Sequence, residues 1–484
     1  MRARFLLLAA ALAAFGASLG SGFHFDDYAI FSDPVLRSGW GWLEVWGWRR
    51  TRPLTNLTFW LNYQAGRQDA LGYHALNLLL HLGAVLLAYE CLQRLLPEGA
   101  ASKRVALAAA ALFAVHPLQA EAVNYVWGRS IVLAALLCFA SLLCWITGRR
   151  WAAVAWFAAA LLAKEECAAF PLALMWLTPG KPRGRSQIVA MLGLSVAAGA
   201  RVVYAAAVTP GAPAGIHAGI SLWKYLLVQG PVIWRYVRLL AAPYGFTVDP
   251  DIHVPAVWLG LLAWAAIAAL AMAAWRHGSK SAPARWLLAG LILLIPSSSV
   301  FPAADLAADR RMYLPMLGFA AAGGWLLTRV RTPALAAVVV AALAGVSVGR
   351  TQVWMTEERL WREAVRRAPE KVRPKIQLAR AVPAAEALEL LAEARRLAPY
   401  DPAVAAETGK ILLAEGQAAA ALEEFGHALA LDPKDARNFN NRGVALEALW
   451  QTEAARQDFQ RALEIDPGLT EARQNLESLP PPGR

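Results

Sequence analysis

Only four of the 484 residues are cysteine and none sits in a CxxC pair, so neither a disulfide framework nor a zinc site organises this chain. Charge is equally sparse, at 17% of residues against 58% hydrophobic ones. That balance, with a mean hydropathy of +0.39, excludes an ordinary soluble enzyme. Acidic side chains number 35 against 47 Lys and Arg, a net charge of +12. On a soluble protein the excess would point to nucleic acid. Here the basic residues gather in short loops between apolar runs, as at Lys103-Arg104, Arg149-Arg150, Lys181 with Arg183 and Arg185, and Arg329 with Arg331, which is a topology pattern. No nucleic-acid partner is expected.

What the chain does have is apolar stretches. They lie near residues 4–20, 75–96, 104–121, 130–147, 151–165, 166–178, 187–208, 256–275, 285–300, 313–329 and 333–349, the fifth and sixth being short. A bilayer crossing takes roughly 20 apolar residues, so the expected fold is all-α, a polytopic transmembrane helical bundle of about eleven spans followed by a short α-solenoid. The first run follows Arg2 and Arg4 without a convincing cleavage site and reads as a retained signal anchor. Leu226 to Ala242 contains Arg235 and Arg238 and reads as a re-entrant or interfacial helix. Trp40, Trp42, Trp46 and Trp48 suit a segment lying along the membrane surface.

With the basic loops in the cytoplasm, residues 21–73, the turns near 116–129, 164–166 and 301–313, residues 209–255 and everything past Arg350 fall on the far side. The expected domains are a membrane domain over 1–350, a connector over 351–368, repeats over 369–478 and a tail over 479–484. In the repeats, Gly409, Leu412, Ala421, Phe425, Ala428 and Pro433 recur 34 residues later as Gly443, Leu446, Ala455, Phe459, Ala462 and Pro467. This is the tetratricopeptide spacing, and a more degenerate unit with a shortened first helix fills 369–402. Such arrays offer a concave face to peptides or protein partners, or serve as spacers.

The most informative residues are Asp26 and Asp27, in Phe23-His24-Phe25-Asp26-Asp27-Tyr28 just past the first span. Paired carboxylates repel each other, so their place at a membrane mouth suits contact with a hydroxyl, a metal or a lipid phosphate. His74, Asn77 and His81 share one helix face and suggest a cavity lining. His116, Glu121 and Arg129 flank one outer turn, Lys164 and Glu165 another, and Asp305, Asp309, Arg310, Arg311 and Tyr313 a third. Together they describe a polar chamber in which Arg52, Lys164, Arg310 and Arg311 could balance a phosphate. Structural ion pairs between the turns are the plain alternative.

A sugar leaving on a lipid phosphate needs no acid, because the departing phosphate is already an anion, but it needs one base to take the acceptor's proton. Asp26 or Asp27 fits that role, and attack opposite the phosphate inverts the anomeric centre. The other aspartate could orient the acceptor, hold a divalent cation such as Mg or Mn, or cap the following helix.

Phe25-Asp26-Asp27, Arg52-Pro53-Leu54-Thr55, Tyr73-His74-Ala75-Leu76-Asn77 with His81, His116-Pro117-Leu118-Gln119-Ala120-Glu121, Gly128-Arg129-Ser130, Leu162-Ala163-Lys164-Glu165 and Asp309-Arg310-Arg311-Met312-Tyr313 follow one another in order. This succession resembles the transmembrane and tetratricopeptide-repeat O-mannosyltransferases and their bacterial relatives, within the GT-C glycosyltransferases, over nearly the whole length. The resemblance implies transfer of a hexose such as mannose from a polyprenyl-phosphate donor in the membrane lipid to a protein, peptide or glycan acceptor. Asp26 would be the base and Asp27 its partner. Arg52, His74, Asn77, His116, Glu121, Arg129, Lys164, Glu165, Arg310 and Tyr313 would be substrate-binding motif positions, and no cofactor beyond a divalent cation is implied. Ile131 stands where the family often has an acid, and Asp309 where it commonly has Glu. The competing readings are a transporter or flippase carrying a solenoid, which would place charge at the midplane of several spans, and a non-catalytic membrane scaffold that recruits proteins through its repeats.

Overall fold

The computed structural model describes residues 1–47, 50–96, 98–179, 184–208, 219–298, 301–303, 305–329 and 333–481. Trp48, Lys181, Arg183 and Arg331 lie outside them. The chain forms two compact units, Met1–Thr356 and Glu357–Arg484. Both are helical, and no strand element occurs among the described residues.

The first unit runs through α1 (Arg2–Phe15), α2 (Pro53–Gly66), α3 (Ala70–Leu95), α4 (Ala100–Val115), α5 (Ala120–Asn124), α6 (Arg129–Ile146), α7 (Arg150–Ala163), α8 (Phe170–Leu177), α9 (Arg185–Val208), α10 (Leu222–Ala241), α11 (Val257–Gly278), α12 (Ala282–Leu294), α13 (Met316–Arg329) and α14 (Pro333–Val353). Hydrocarbon offers backbone amides no partner, so apolar runs of this length close their bonds within helices. Among the described residues six stretches are long and apolar enough to cross a membrane: Arg2–Gly20, α3, Val126–Ile146, α9, α11 and Ala334–Val353. This is a multi-pass membrane unit. A seventh stretch, α4 with Pro117–Asn124, is bent by 47° where Pro117 follows His116 in extended backbone.

Every apolar stretch expected from sequence holds a helix, but α7, α8, α12 and α13 are shorter than a crossing. Fourteen helical residues, as in α7, extend only about 21 Å, against roughly 30 Å of hydrocarbon. The reason is local. The polar turn Lys164-Glu165-Glu166 interrupts the apolar run and separates α7 from α8. Helix α10 is not among the apolar helices; it contains Pro231 and buries one face through Tyr225, Gln229 and Tyr236.

Small residues set the tightest contacts in the bundle. A Cβ on Gly324 would lie 2.6 Å from the Ala109 amide nitrogen, so α13 and α4 approach to backbone contact. Between α1 and α2 the chain makes one-turn pieces, including Phe25–Tyr28 and Gly41–Glu44. Trp40, Trp42 and Trp46 are exposed around the latter.

The second unit comprises α15 (Glu357–Arg367), α16 (Val372–Ala379), α17 (Ala384–Leu397), α18 (Pro402–Ala414), α19 (Ala418–Leu431), α20 (Ala436–Ala448), α21 (Thr452–Ile465) and α22 (Thr470–Ser478). Residues 357–367, within the expected connector, are the first helix of this unit, and α16 has only eight residues. Asp401 and Asp435 cap α18 and α20. A Cβ on Gly443 would lie 2.5 Å from the Phe459 ring, and Gly409 stands likewise over Phe425, so each glycine seats the aromatic ring of its partner helix.

Candidate active site

The two aspartates have different surroundings. Asp27 is fully buried. Its Oδ2 accepts from the His24 amide at 2.9 Å and its Oδ1 from the Trp127 amide at 2.8 Å. It belongs to a capping box with His24 at the start of the Phe25–Tyr28 turn. Burial pushes its pKa up to about 8, against the pull of the two N–H donors. Asp26 is exposed. Its carboxylate lies beside the buried Tyr125 hydroxyl, which has no hydrogen bond of ordinary geometry. Burial first, then the charges of Asp26 and Asp27, raise the Tyr125 phenol well above its usual range.

The loop carrying the doublet is pinned at several points. His24 Nε2 lies 2.7 Å from the Trp354 carbonyl, His74 Nε2 lies 3.1 Å from the Gly22 carbonyl, and the Gly22 amide donates to the Met355 carbonyl at 3.3 Å. Burial lowers the His24 pKa to about 4, so the ring is neutral near neutrality. Phe25 stacks on Tyr125 with ring centroids 4.8 Å apart.

The expected polar stripe does not line an opening. His74, Asn77 and His81 are all fully buried. Asn77 Nδ2 donates to the Tyr125 carbonyl at 2.9 Å, and His81 lies between the Tyr313 hydroxyl at 2.7 Å and the Ala114 carbonyl at 3.1 Å. Arg129, also fully buried, donates to Asn77 Oδ1 at 2.8 Å and to the Tyr73 carbonyl at 2.9 Å, with its guanidinium 4.6 Å from the Phe59 ring centre. His116 accepts the Leu118 amide at 3.2 Å and faces the Leu240 carbonyl at 3.3 Å. His74, Asn77, His116, Arg129 and Tyr313 are therefore packed inside the protein around the segments that carry the candidate site. An apolar environment makes an unbonded polar group expensive, which is why each of these side chains ends on a carbonyl, an amide or another buried polar side chain.

The remaining candidates do come together. Arg310 donates its amide to Glu121 Oε2 at 3.0 Å, pairs through its guanidinium with Glu121 Oε1, reaches Asp305 at 3.0 Å and lies 5.9 Å from the Tyr125 ring centre. Arg52 grips Glu165 with two bonds, at 2.6 and 3.1 Å. Lys164 pairs with Glu166 at 3.2 Å. Arg52, Lys164 and Arg310 repel one another electrostatically, so the three cations share one region. Burial alone would raise the Glu165 pKa, but the Arg52 charge overrides it and holds Glu165 down to about 2. Lys164 is lowered to about 8, chiefly by burial. Arg311 donates to the Asp305 carbonyl at 2.7 Å and, with Lys164, Glu166 and Cys167, lines a small cavity.

Two members of this cluster were not among the candidates from sequence. Arg235 on α10 pairs with Asp309 through both guanidinium nitrogens, and Tyr125 stands between Asp26 and Arg310. A cation within an otherwise half-apolar helix was the signal for Arg235. Arg52 has left-handed backbone, φ 55° and ψ 50°, immediately before Pro53. A non-glycine residue held there costs of order 1–3 kcal/mol, and the Glu165 pair supplies the constraint that keeps it.

A divalent cation finds few protein donors. Among the described residues no three His, Cys, Asp or Glu side chains converge as a metal site, and of the doublet only Asp26 has open oxygens. Mg or Mn would need substrate oxygens to complete its shell.

Comparison with known proteins concerns the family and the repeats. Residues 436–469, which span α20 and α21, match the tetratricopeptide repeat model. A protein O-mannosyl-transferase of Caenorhabditis elegans, F38B6.6, is 27% identical over 346 residues, covering 65% of this chain and 49% of that protein. The chain is similar to protein O-mannosyl-transferases. Human TMTC1, a protein O-mannosyl-transferase, is 36% identical over 148 residues, covering 27% of this chain and 16% of its own length. The Drosophila melanogaster protein O-mannosyl-transferase Tmtc1 is 46% identical over 99 residues, covering 20% and 11%. The chain thus spans about half the length of the worm relative and less of the other two.

Proposed function

We propose that this chain is an inverting, membrane-embedded glycosyltransferase that moves a hexose, mannose by similarity to the relatives, from a polyprenyl phosphate to a hydroxyl acceptor such as Ser or Thr of a protein. The observation that carries the reading is the division of labour in the doublet: Asp27 is consumed by two backbone amides while Asp26 stands open beside Tyr125, whose ring Arg310 in turn approaches. In this reaction Asp26 takes the proton of the acceptor hydroxyl, whose oxygen forms a bond to the anomeric carbon. The bond from that carbon to the phosphate oxygen breaks with its electron pair on the phosphate, and the nearby cations meet the charge that develops. Asp27 acts through position, holding the turn that aims Asp26.

The same reading gives the first unit about eleven membrane segments, several of them short, with the chamber and the repeats on the extracytoplasmic side of a bacterial inner membrane. The 1–350 domain would perform transfer and the repeats over 369–478 would receive a protein partner or acceptor. The test is to incubate purified protein with polyprenyl-phosphate mannose and a membrane extract, and to identify the product that gains a hexose by mass. Transfer by wild type and its loss in Asp26→Asn is the expected result. Undiminished transfer by Asp26→Asn would remove the base assignment.

A further inference from the structure

One groove beside the chamber has the character of a lipid-phosphate site. It runs between α7 and α9 as an open channel, walled by Ala158, Leu161 and Leu162 on one side and Leu194, Ala197 and Ala198 on the other. Arg52 and Arg201 also line it, with Glu165 next to Arg52. Helix α9 is predominantly apolar and almost uncovered by protein, so its outer face meets lipid.

A guanidinium on such a helix is costly unless an anion meets it. Arg52 already has Glu165, Lys164 has Glu166, Arg310 has Glu121 and Asp305, and Arg235 has Asp309. Among the described residues Arg201 pairs with no carboxylate. Its one hydrogen bond among the described residues is to the Arg50 carbonyl, and the residues outside the described set include no Asp or Glu that could supply a carboxylate. The charge that a lipid phosphate brings is therefore the charge this position lacks.

We infer that the groove between α7 and α9 holds the hydrocarbon chain of a polyprenyl phosphate and that Arg201 binds its phosphate, close to Arg52. The inference rests on the donor chemistry proposed above and adds Arg201 to it. Before transfer the phosphate is a diester with one charge; after transfer it is a monoester with up to two, so the same guanidinium holds the spent carrier more firmly.

The test uses the full chain in nanodiscs of a zwitterionic lipid, with undecaprenyl phosphate as the probe and native mass spectrometry as the readout. Wild type is expected to retain the probe in the presence of equimolar phosphatidylglycerol, a two-chain diester. Arg201→Gln removes the cation, and Ala198→Phe fills the groove while leaving the charge. Each is expected to weaken retention by roughly tenfold or more, the effect of losing a charge-assisted hydrogen bond or the space for the chain. Wild-type retention in both variants would overturn the inference, as would displacement by phosphatidylglycerol, which would make the groove a general lipid contact. The two readings fail separately. Probe binding that needs Arg201, without sugar transfer to any acceptor, would defeat only the proposed activity; Asp26-dependent transfer with probe binding indifferent to Arg201 would defeat only this site.

Discussion

Asp26→Asn and Asp27→Asn should have opposite consequences, although the two residues are adjacent and chemically identical. In Asp27→Asn the new side-chain carbonyl could still accept one of the two amides that Asp27 binds at 2.8 and 2.9 Å, but its NH2 would face the other. A buried N–H left without an acceptor costs about 1–3 kcal/mol, and Asp27 is fully buried. The Asp26→Asn change alters an exposed side chain, for which effects within about 0.5 kcal/mol are usual. The pH dependence differs too. The Asp27 carboxyl sits at about 8 in the fold against an ordinary 3.8. The native state therefore binds a proton that the unfolded chain has released, and the carboxyl's contribution to stability declines as pH rises from the ordinary carboxylate range towards 8. Asp27→Asn removes that slope. Thermal unfolding of the purified protein in detergent, run at several pH values, measures both effects, and hexose transfer measured in parallel separates folding from chemistry. The expected pattern is an early, pH-flattened melt for Asp27→Asn and a wild-type melt without transfer for Asp26→Asn. Equal melting of the two variants would refute the argument that one carboxylate builds the site and the other works in it.

Lys164 loses its proton as pH rises through about 8; donor affinity, followed as KM, should therefore weaken on the alkaline side, and Lys164→Arg, charged throughout, should shift that limb upwards. Glu121→Gln leaves the buried Arg310 with Asp305 as its only carboxylate and should destabilise the first unit by about 3 kcal/mol, the lower end for breaking a buried pair, read as a lowered unfolding temperature. In the repeats Trp450 occupies, at φ 63°, the left-handed position that Gly416 fills at φ 75° one unit earlier, and it is 91% exposed. Trp450→Gly should therefore stabilise that turn by about 1 kcal/mol, seen as slower amide exchange in α20 and α21 of the full chain. Gly324→Val drives a side chain into the Ala109 backbone; the expected outcome is poor recovery of folded protein, measured as the monodisperse fraction on size exclusion.

Periodicity and composition are local properties, and they alone determined the helices, the membrane character and the 34-residue repeat, because an apolar run in lipid has few backbone options other than helix. The same is true of the order of the motifs that bring Asp26, Glu121, Arg129, Lys164 and Arg310 into one reading. Which of these residues face the chamber was settled only by tertiary packing. Asn77 and Arg129 read as binding groups in sequence, yet they close on the carbonyls of Tyr125 and Tyr73; Arg201 carried no reading in sequence, lying within the apolar stretch 187–208, yet it lines the same groove as Arg52 with no carboxylate partner among the described residues. The physical reason is that a polar side chain declares its chemistry in sequence, whereas burial and the presence of a partner depend on chain segments up to hundreds of positions away.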